Sequence, residues 1–216
     1  MDGTIASKLL RLAGSFATHP EYIPRYLRDR APDRSSPLEI ELPWISYAAI
    51  DFLDGYLKPD MTVYEYGSGG STLFFASRVA RVTSTEHDPR WYSRIRTKLQ
   101  AHSVTNANIQ LVECDLSQTP DFENSHYVQS LRDTEADVIL IDGFERDAPE
   151  DDPKYNLRPI CFALAETQIK QGGIIILDDS WRYTHLRQKN SAVRVQVFES
   201  PGPARPGVTS TDVYFY

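Results

Sequence analysis

Two strand-like segments close this chain, 192–199 (AVRVQVFE) and 211–216 (TDVYFY), and the stretch between them, SPGPARPGVTS, has no room for a helix. Parallel neighbours need a crossover of a dozen or more residues, usually helical. Proline and glycine punctuate this connection too densely for one. The two segments must therefore pair as antiparallel strands. That pairing discriminates between folds, because everything before it reads as a parallel design.

Strand-like runs at 61–66 (MTVYEY), 81–86 (RVTSTE), 109–114 (IQLVEC), 136–141 (ADVILI) and 173–177 (GIIIL) alternate with helix-like stretches at 72–80, 89–101 and 157–170. Runs such as ADVILI, but for Asp137, and GIIIL are apolar, as parallel strands covered on both faces are. The fold class this predicts is α/β, a doubly wound and mostly parallel sheet closed by an antiparallel C-terminal hairpin. A further helix is expected at 44–57, with Ile45, Ala48, Ala49, Phe52, Leu53 and Leu57 on one face. Ahead of it, Ile5, Leu9, Leu12 and Phe16 have helical spacing, and Pro20, Pro24, Pro32 and Pro37 interrupt any long helix. The chain thus divides into an N-terminal helical arm or cap, 1–43, and a main domain, 44–216.

The charge of −7 argues against a polynucleotide partner, which calls for basic charge or a basic stripe. Residues 1–34 carry six Lys/Arg against four acids, too small an excess to argue for a membrane surface. No apolar run approaches the ~20 residues of a membrane span, so no stable membrane insertion is expected. The two cysteines, Cys114 and Cys161, form no Cys/His cluster, so a zinc site is not expected. With no leader-like h-region, the expected location is cytoplasmic.

The first strand ends in Glu65-Tyr66-Gly67-Ser68-Gly69-Gly70-Ser71. Glycines there permit a tight turn and let a ligand approach the backbone. A turn of this kind also occurs with no ligand, but its companions are informative. Glu86, followed by His87, ends the second strand at the spacing of a ribose-binding acid. Asp115 follows the third strand, where a carboxylate can bond an exocyclic amine. Each acid alone reads equally well as a solvated strand-end charge. Together, at the carboxyl edge where open α/β sheets bind ligands, they point to a nucleoside. The sixth position of the glycine pattern is Thr72, which departs from a dinucleotide fingerprint. An acid within the strand, Glu65, suits an ammonium better than a phosphate.

These features resemble the class I S-adenosylmethionine-dependent methyltransferases over residues 44–216. The family's acidic-x-Gly-x-Gly-x-Gly loop is similar to Glu65, Gly67 and Gly69, with Ser71 in place of the last glycine and Gly70 beside it. The resemblance implies a seven-stranded sheet with its last strand antiparallel. It implies that Glu65, Tyr66, Gly67, Ser68, Gly69, Gly70 and Ser71 hold the methionine half of S-adenosylmethionine. It gives Glu86, His87, Asp115 and Leu116 to the adenosine half.

Asp142 follows the fourth strand, and Asp178-Asp179 follow the fifth. If these strands are neighbours, three carboxylates meet beside the donor pocket and repel unless something offsets them. A hard cation, Mg²⁺ first, would do so and would lower the pKa of a bound hydroxyl. The layout is similar to the metal-dependent, catechol-type O-methyltransferases, whose ligands imply Asp142, Asp178 and Asp179 as the metal set. That resemblance also places Asp142 and Phe144 against the donor. The family's lysine base is not matched, since Glu145 and Arg146 stand there. The alternative is a metal-free N- or O-methyltransferase with Asp142 or His185 as base, and Asp178 and Asp179 as helix cap and solvated charge. A third reading is a catalytically silent nucleoside-binding domain. Trp44, Tyr47, Trp181 and Tyr183 either line an acceptor pocket or belong to the core. The expected function is O-methylation of a small molecule at a hydroxyl, with S-adenosylmethionine as donor and Mg²⁺ as helper. The arm would cover the acceptor side or support a homodimer.

Overall fold

The computed structural model describes residues 5–30, 36–114, 122–143 and 157–216. Among them, seven strands form one sheet: β1 (Thr62–Tyr66), β2 (Arg81–Glu86), β3 (Ala107–Leu111), β4 (Ala136–Ile141), β5 (Ile169–Leu177), β6 (Arg194–Pro201) and β7 (Val208–Phe215). Their order is β3-β2-β1-β4-β5-β7-β6. Strands β1 to β5 pair in parallel. β7 runs antiparallel to both β5 and β6, as the short proline-rich connection requires. The strand order reverses between β1 and β4, and the carboxyl end of that pair is the crevice where open sheets hold ligands.

Both faces of the sheet are covered, which explains the apolar runs. Along β4, Ile139 and Ile141 pack with Leu157, Cys161 and Phe162 of a helix over Leu157–Gln168. The alternate residues Val138 and Leu140 pack with Ile45, Ile50, Leu53 and Phe75 on the other face. Period-two alternation in a doubly covered strand leaves no polar position beyond Asp137 near its start, whose carboxylate accepts from Thr62 and Lys170. Among the described residues that helix is the last of eight. The others are α1 (Ile5–Thr18), α2 (Tyr22–Arg28), α3 (Pro37–Ile40), α4 (Tyr47–Tyr56), α5 (Gly70–Ala76), α6 (Pro89–Ala101) and α7 (His126–Gln129), so Leu157–Gln168 is α8.

Local signals fix several boundaries. Asp88 accepts from the amides of Arg90 and Trp91, and Pro89 takes the first position of α6. α5 starts earlier than its apolar pattern, at Gly70, because the Gly69 amide donates to Thr72 Oγ1 at 3.1 Å. β3 lies two to three residues before the run 109–114. Its ladder begins at Ala107, opposite Val82, and Val112 and Cys114 pack against the core beyond the strand. β5 starts at Ile169, and its register with β4 shifts between Ala136 and Val138.

The arm is tied to the core of the main sheet. Pro24 sits in the first turn of α2, where its missing N–H is not needed. Tyr22 and Tyr26 are buried with Tyr47, and the Tyr47 hydroxyl donates to the fully buried Asp29 at 2.9 Å. Leu12 and Phe16 pack against the same cluster, whereas Leu9 and Ile5, one and two turns before Leu12, are exposed. No helix among the described residues is long and apolar enough to cross a membrane.

Candidate functional site

A cleft of ≈ 660 Å³ opens at the carboxyl edge of β1, β2, β4 and β5. That is the size of a small-molecule site, roughly 300–1,000 Å³. One end is the turn Gly67–Ser71 with Glu86, His87 and Trp91, and the other is Asp142, Arg158, Asp178, Asp179 and Arg205. Gly67 has φ +92°, and a Cβ there would lie 3.0 Å from the Asp142 carbonyl, so only glycine fits between β1 and β4. At Gly70 a Cβ would overlap the carbonyls of Pro37 and Leu42, so α3 and the chain after it seat directly on the turn. Trp91 Nε1 donates to the Ser68 carbonyl at 2.6 Å and holds the turn from α6.

Glu86 is almost fully buried beneath this turn. Its Oε2 accepts from Ser68 N at 3.1 Å and Ser68 Oγ at 2.7 Å. Its Oε1 accepts from the amides of His87 at 2.9 Å and Asp88 at 3.0 Å, with His87 Nδ1 3.1 Å away. Burial pushes the carboxyl pKa up, but the bonds from His87, Asp88 and Ser68 outweigh it and hold it below the ordinary value. Glu86 is therefore an anion at neutral pH. Glu65 stands behind the turn rather than in the cleft wall. It is fully buried and accepts from Ser84 Oγ at 2.6 Å. Its Oε1 has no hydrogen-bond partner among the described residues. Burial raises its pKa to about 7, with the hydroxyls of Ser71, Ser84 and Thr72 acting in the opposite direction.

At the other end, the three acids of β4 and β5 meet as the sequence predicts. Two arginines meet them there. Arg158, in the first turn of α8, is buried. It donates to the carbonyls of Gly143 at 3.0 Å and Asp178 at 2.8 Å, and to Asp142 Oδ1 at 3.1 Å. Arg205 donates to Asp178 Oδ2 at 3.3 Å and Asp179 Oδ1 at 2.9 Å. Thr211 donates to Asp178 Oδ1 at 3.0 Å, and Thr209 and Trp181 Nε1 donate to Asp179 Oδ1 at 3.1 and 3.2 Å.

This donor set does not fit the Mg²⁺ ion expected at Asp142, Asp178 and Asp179. The charge that a cation would neutralise is met by two guanidiniums, and both oxygens of Asp178 are already bonded. No group of three acidic, histidine or cysteine side chains among the described residues is arranged to hold a metal. The sequence argument that clustered carboxylates need an offset holds, and in this structure two guanidiniums supply it.

Three carboxylates against two guanidiniums leave one negative charge unbalanced, and the pKa values show where it is relieved. Burial, then repulsion from Asp178, raises Asp142 well above the carboxylate range despite Arg158. Burial and Asp179 push Asp178 up to about 6. Burial also acts on Asp179, but Arg205 and Arg158 outweigh it and lower its pKa. The negative surplus thus falls on Asp142 and Asp178, and Asp142, about a fifth exposed, faces the cleft.

No protein-family profile matches the chain, and no curated protein matches it. Solved structures do. A protein of Klebsiella pneumoniae assigned as an O-methyltransferase shares 14% identity, with 97% of this chain and 98% of that one covered and a TM-score of 0.56. A methyltransferase from Pyrococcus furiosus shares 15% identity over 98% of each chain, with a TM-score of 0.54. A Streptococcus mutans protein assigned as a methyltransferase, in complex with SAH, shares 9% identity over 78% of this chain and 96% of that one, with a TM-score of 0.55. The fold is that of the class I methyltransferases. At such identities the likeness concerns architecture, so what this chain does rests on its own residues.

Within the methyltransferase fold, the glycine turn, Glu86, His87 and Asp142 share one cleft, and Glu65 and Tyr66 lie buried behind it. Asp115, Leu116 and Phe144 lie outside the described residues, as does the acidic stretch 147–152. His185 is exposed in a short helical turn, Thr184–Arg187, and does not line the cleft. Of the four aromatics, Tyr47 and Tyr183 are core residues, Trp44 lines the cleft, and Trp181 lines a smaller neighbouring cavity. Sequence reading missed Arg158 and Arg205. The surplus of buried acid was the one available hint that cations must be near.

Proposed function

We propose that this chain is an S-adenosylmethionine-dependent methyltransferase that acts on a hydroxyl of a small molecule without a metal. The observation that carries the reading is one cleft with a buried Glu86 under a glycine turn at one end and Asp142, held by Arg158, at the other. Gly67 and Gly69 leave the backbone open to a ligand, and Glu86 can accept hydrogen bonds from a ribose. Ser68 Oγ, 2.7 Å from Glu86, marks where a sugar hydroxyl would bind. The buried, unpartnered Glu65 oxygen gives the turn a latent negative charge suited to a ligand's ammonium group. Asp115 and Leu116 would complete the adenosine side.

S-adenosylmethionine, when bound, supplies a methyl group on a sulfonium, open to in-line attack. The chain's part is to hold the acceptor in line and to take its proton. A carboxylate with a raised pKa is a stronger base than an ordinary one, so Asp142, in its ionised form, is placed to receive the hydroxyl proton. Arg158 keeps that carboxylate oriented toward the cleft. The net charge of −7 favours a small acceptor over RNA. Calorimetry with S-adenosylmethionine and S-adenosylhomocysteine, with NAD as control, tests the reading. Binding of both sulfur nucleosides with weak or no NAD binding is expected, and tighter NAD binding or no nucleoside binding would overturn it.

A further inference from the structure

Among the described residues, Trp44 is the one aromatic in the set of exposed large apolar side chains, at 46% exposure, and it lines the main cleft. It stands at the acid end. Arg205 donates to its carbonyl at 3.2 Å, and the same guanidinium lies 5.7 Å from the centre of its ring. The segment that carries it is held on both sides. Leu42 seats against Gly70, Ile45 is fully buried, and the Ser46 amide donates to Thr211 Oγ1 at 3.1 Å. The indole is therefore a fixed platform whose apolar area is open to the cleft, and covering such area is favourable.

The polar groups around this platform are occupied by one another. Asp178 accepts from Thr211 and Arg205, and Asp179 accepts from Arg205, Thr209 and Trp181. Arg158 donates to the carbonyls of Gly143 and Asp178 and to Asp142. This end of the cleft thus offers a ligand a flat apolar surface and, in Asp142, one proton acceptor. A sugar would bring several hydroxyls to groups that are already bonded, and polar groups buried without partners are costly. A flat ring that carries a single hydroxyl matches what is there.

We infer that the methyl acceptor is an aromatic hydroxyl compound whose ring lies on Trp44 while its hydroxyl points to Asp142. The inference rests on the methyl-transfer reading above and deepens it. Reaction chemistry agrees with the packing. A phenol, like a tyrosine side chain, titrates at about 10, whereas an alkyl hydroxyl holds its proton about as tightly as water, at about 15.7. A carboxylate base takes the first proton far more readily than the second. The phenolic oxygen forms its bond to the methyl carbon as the carbon–sulfur bond breaks. The electron pair of that bond stays on sulfur, and the phenolic proton passes to Asp142. One hydroxyl suffices, since the acids that a chelating ion would use are held by Arg158 and Arg205.

The test uses the full chain and three probes: 2-naphthol, its saturated counterpart decahydro-2-naphthol, and methyl β-glucoside. Affinities are measured by calorimetry with and without S-adenosylhomocysteine. The saturated alcohol has the same carbon skeleton and one hydroxyl, so apolar burial alone would not favour 2-naphthol over it. 2-Naphthol should bind about tenfold more tightly than either of the others, the scale of one aromatic stacking contact. Trp44 is exposed, so Trp44→Leu should fold normally, erase most of that preference and leave S-adenosylhomocysteine binding unchanged. Trp44→Phe should restore part of the preference. Equal binding of 2-naphthol and its saturated partner, tighter binding of the glucoside, no binding of any probe, or a preference that survives Trp44→Leu would overturn the aromatic acceptor. Failure of S-adenosylhomocysteine to bind would instead overturn the methyltransferase reading, and the preference for the flat ring would still be measured without it.

Discussion

The guanidinium of Arg158 lies 3.1 Å from the carboxylate of Asp142, and the same group also bonds the main-chain carbonyls of Gly143 and Asp178. One buried cation thus ties the end of β4 to the end of β5 and offsets the charge of the residue proposed as base. Removing one partner of such a set leaves an uncompensated buried charge. Arg158→Ala should destabilise the fold by about 3–5 kcal/mol, read from denaturant midpoints. Adding Asp142→Asn in the same chain should recover part of the loss, because the orphaned carboxylate is then gone. Strict additivity of the two substitutions would show that the contact carries no coupling.

Arg205 provides the sharper test of metal independence. In the native chain it occupies Asp178 and Asp179, so millimolar Mg²⁺ should give no binding heat and no shift in thermal midpoint. Arg205→Ala removes the offset and leaves three acids facing one arginine. Mg²⁺ should then raise the midpoint of the variant alone. Stabilisation of the native chain by Mg²⁺, or turnover lost in chelator once an acceptor is known, would show that the ion competes successfully with the guanidinium.

Features set by local contacts were legible in the sequence, and those set by distant contacts were not. β2 and β4 fall at the residues their patterns predict, and the C-terminal hairpin follows from a connection too short for a crossover. The glycine turn and Glu86 were legible because backbone geometry leaves local marks: a positive φ at Gly67 demands glycine, and a strand end places an acid at the sheet edge. Arg158 and Arg205 left none. Each is a single arginine in an ordinary stretch, and each becomes part of the site only through packing with residues 16 to 27 positions away. The expectation of Mg²⁺ followed directly, since the acids were visible and their arginine partners were not. Asp29 was equally silent, although its bond to Tyr47 ties the arm to the core.

Glu65 should give the protein a pH signature. Its pKa rises from 4.5 unfolded to about 7 folded, chiefly through burial. The folded state then holds a proton that the unfolded chain has released, so between these values stability falls as pH rises. The contribution is fully present below pH 4.5, is lost as pH passes through 7, and amounts to about 3 kcal/mol at most by the ordinary conversion of a pKa shift. Glu65→Gln keeps the shape and removes the titration. The difference in unfolding free energy between native chain and variant should therefore change across pH 4.5–7 and be flat above it. A flat difference throughout would mean that Glu65 is as acidic folded as unfolded.

Glu86 and Ser68 separate a binding role from a structural one. Glu86 accepts four bonds from protein groups, three of them from main-chain amides and one from the Ser68 hydroxyl. Only the hydroxyl can leave without unmaking the turn, so a ribose hydroxyl would replace it. Ser68→Ala should then leave S-adenosylhomocysteine affinity unchanged or slightly improved, since no internal bond has to break first. Glu86→Ala should weaken the affinity by about 1.5–3 kcal/mol, the range for hydrogen bonds to a charged group. It should also lower stability, because the amides of Ser68, His87 and Asp88 lose their acceptor. Glu86→Gln should fall between the two, keeping one acceptor oxygen. If affinity per folded molecule is the same in all three variants, Glu86 serves the turn and the nucleoside is held elsewhere. If Ser68→Ala weakens binding as much as Glu86→Ala, the serine hydroxyl contacts the ligand itself and does not stand in for a ribose.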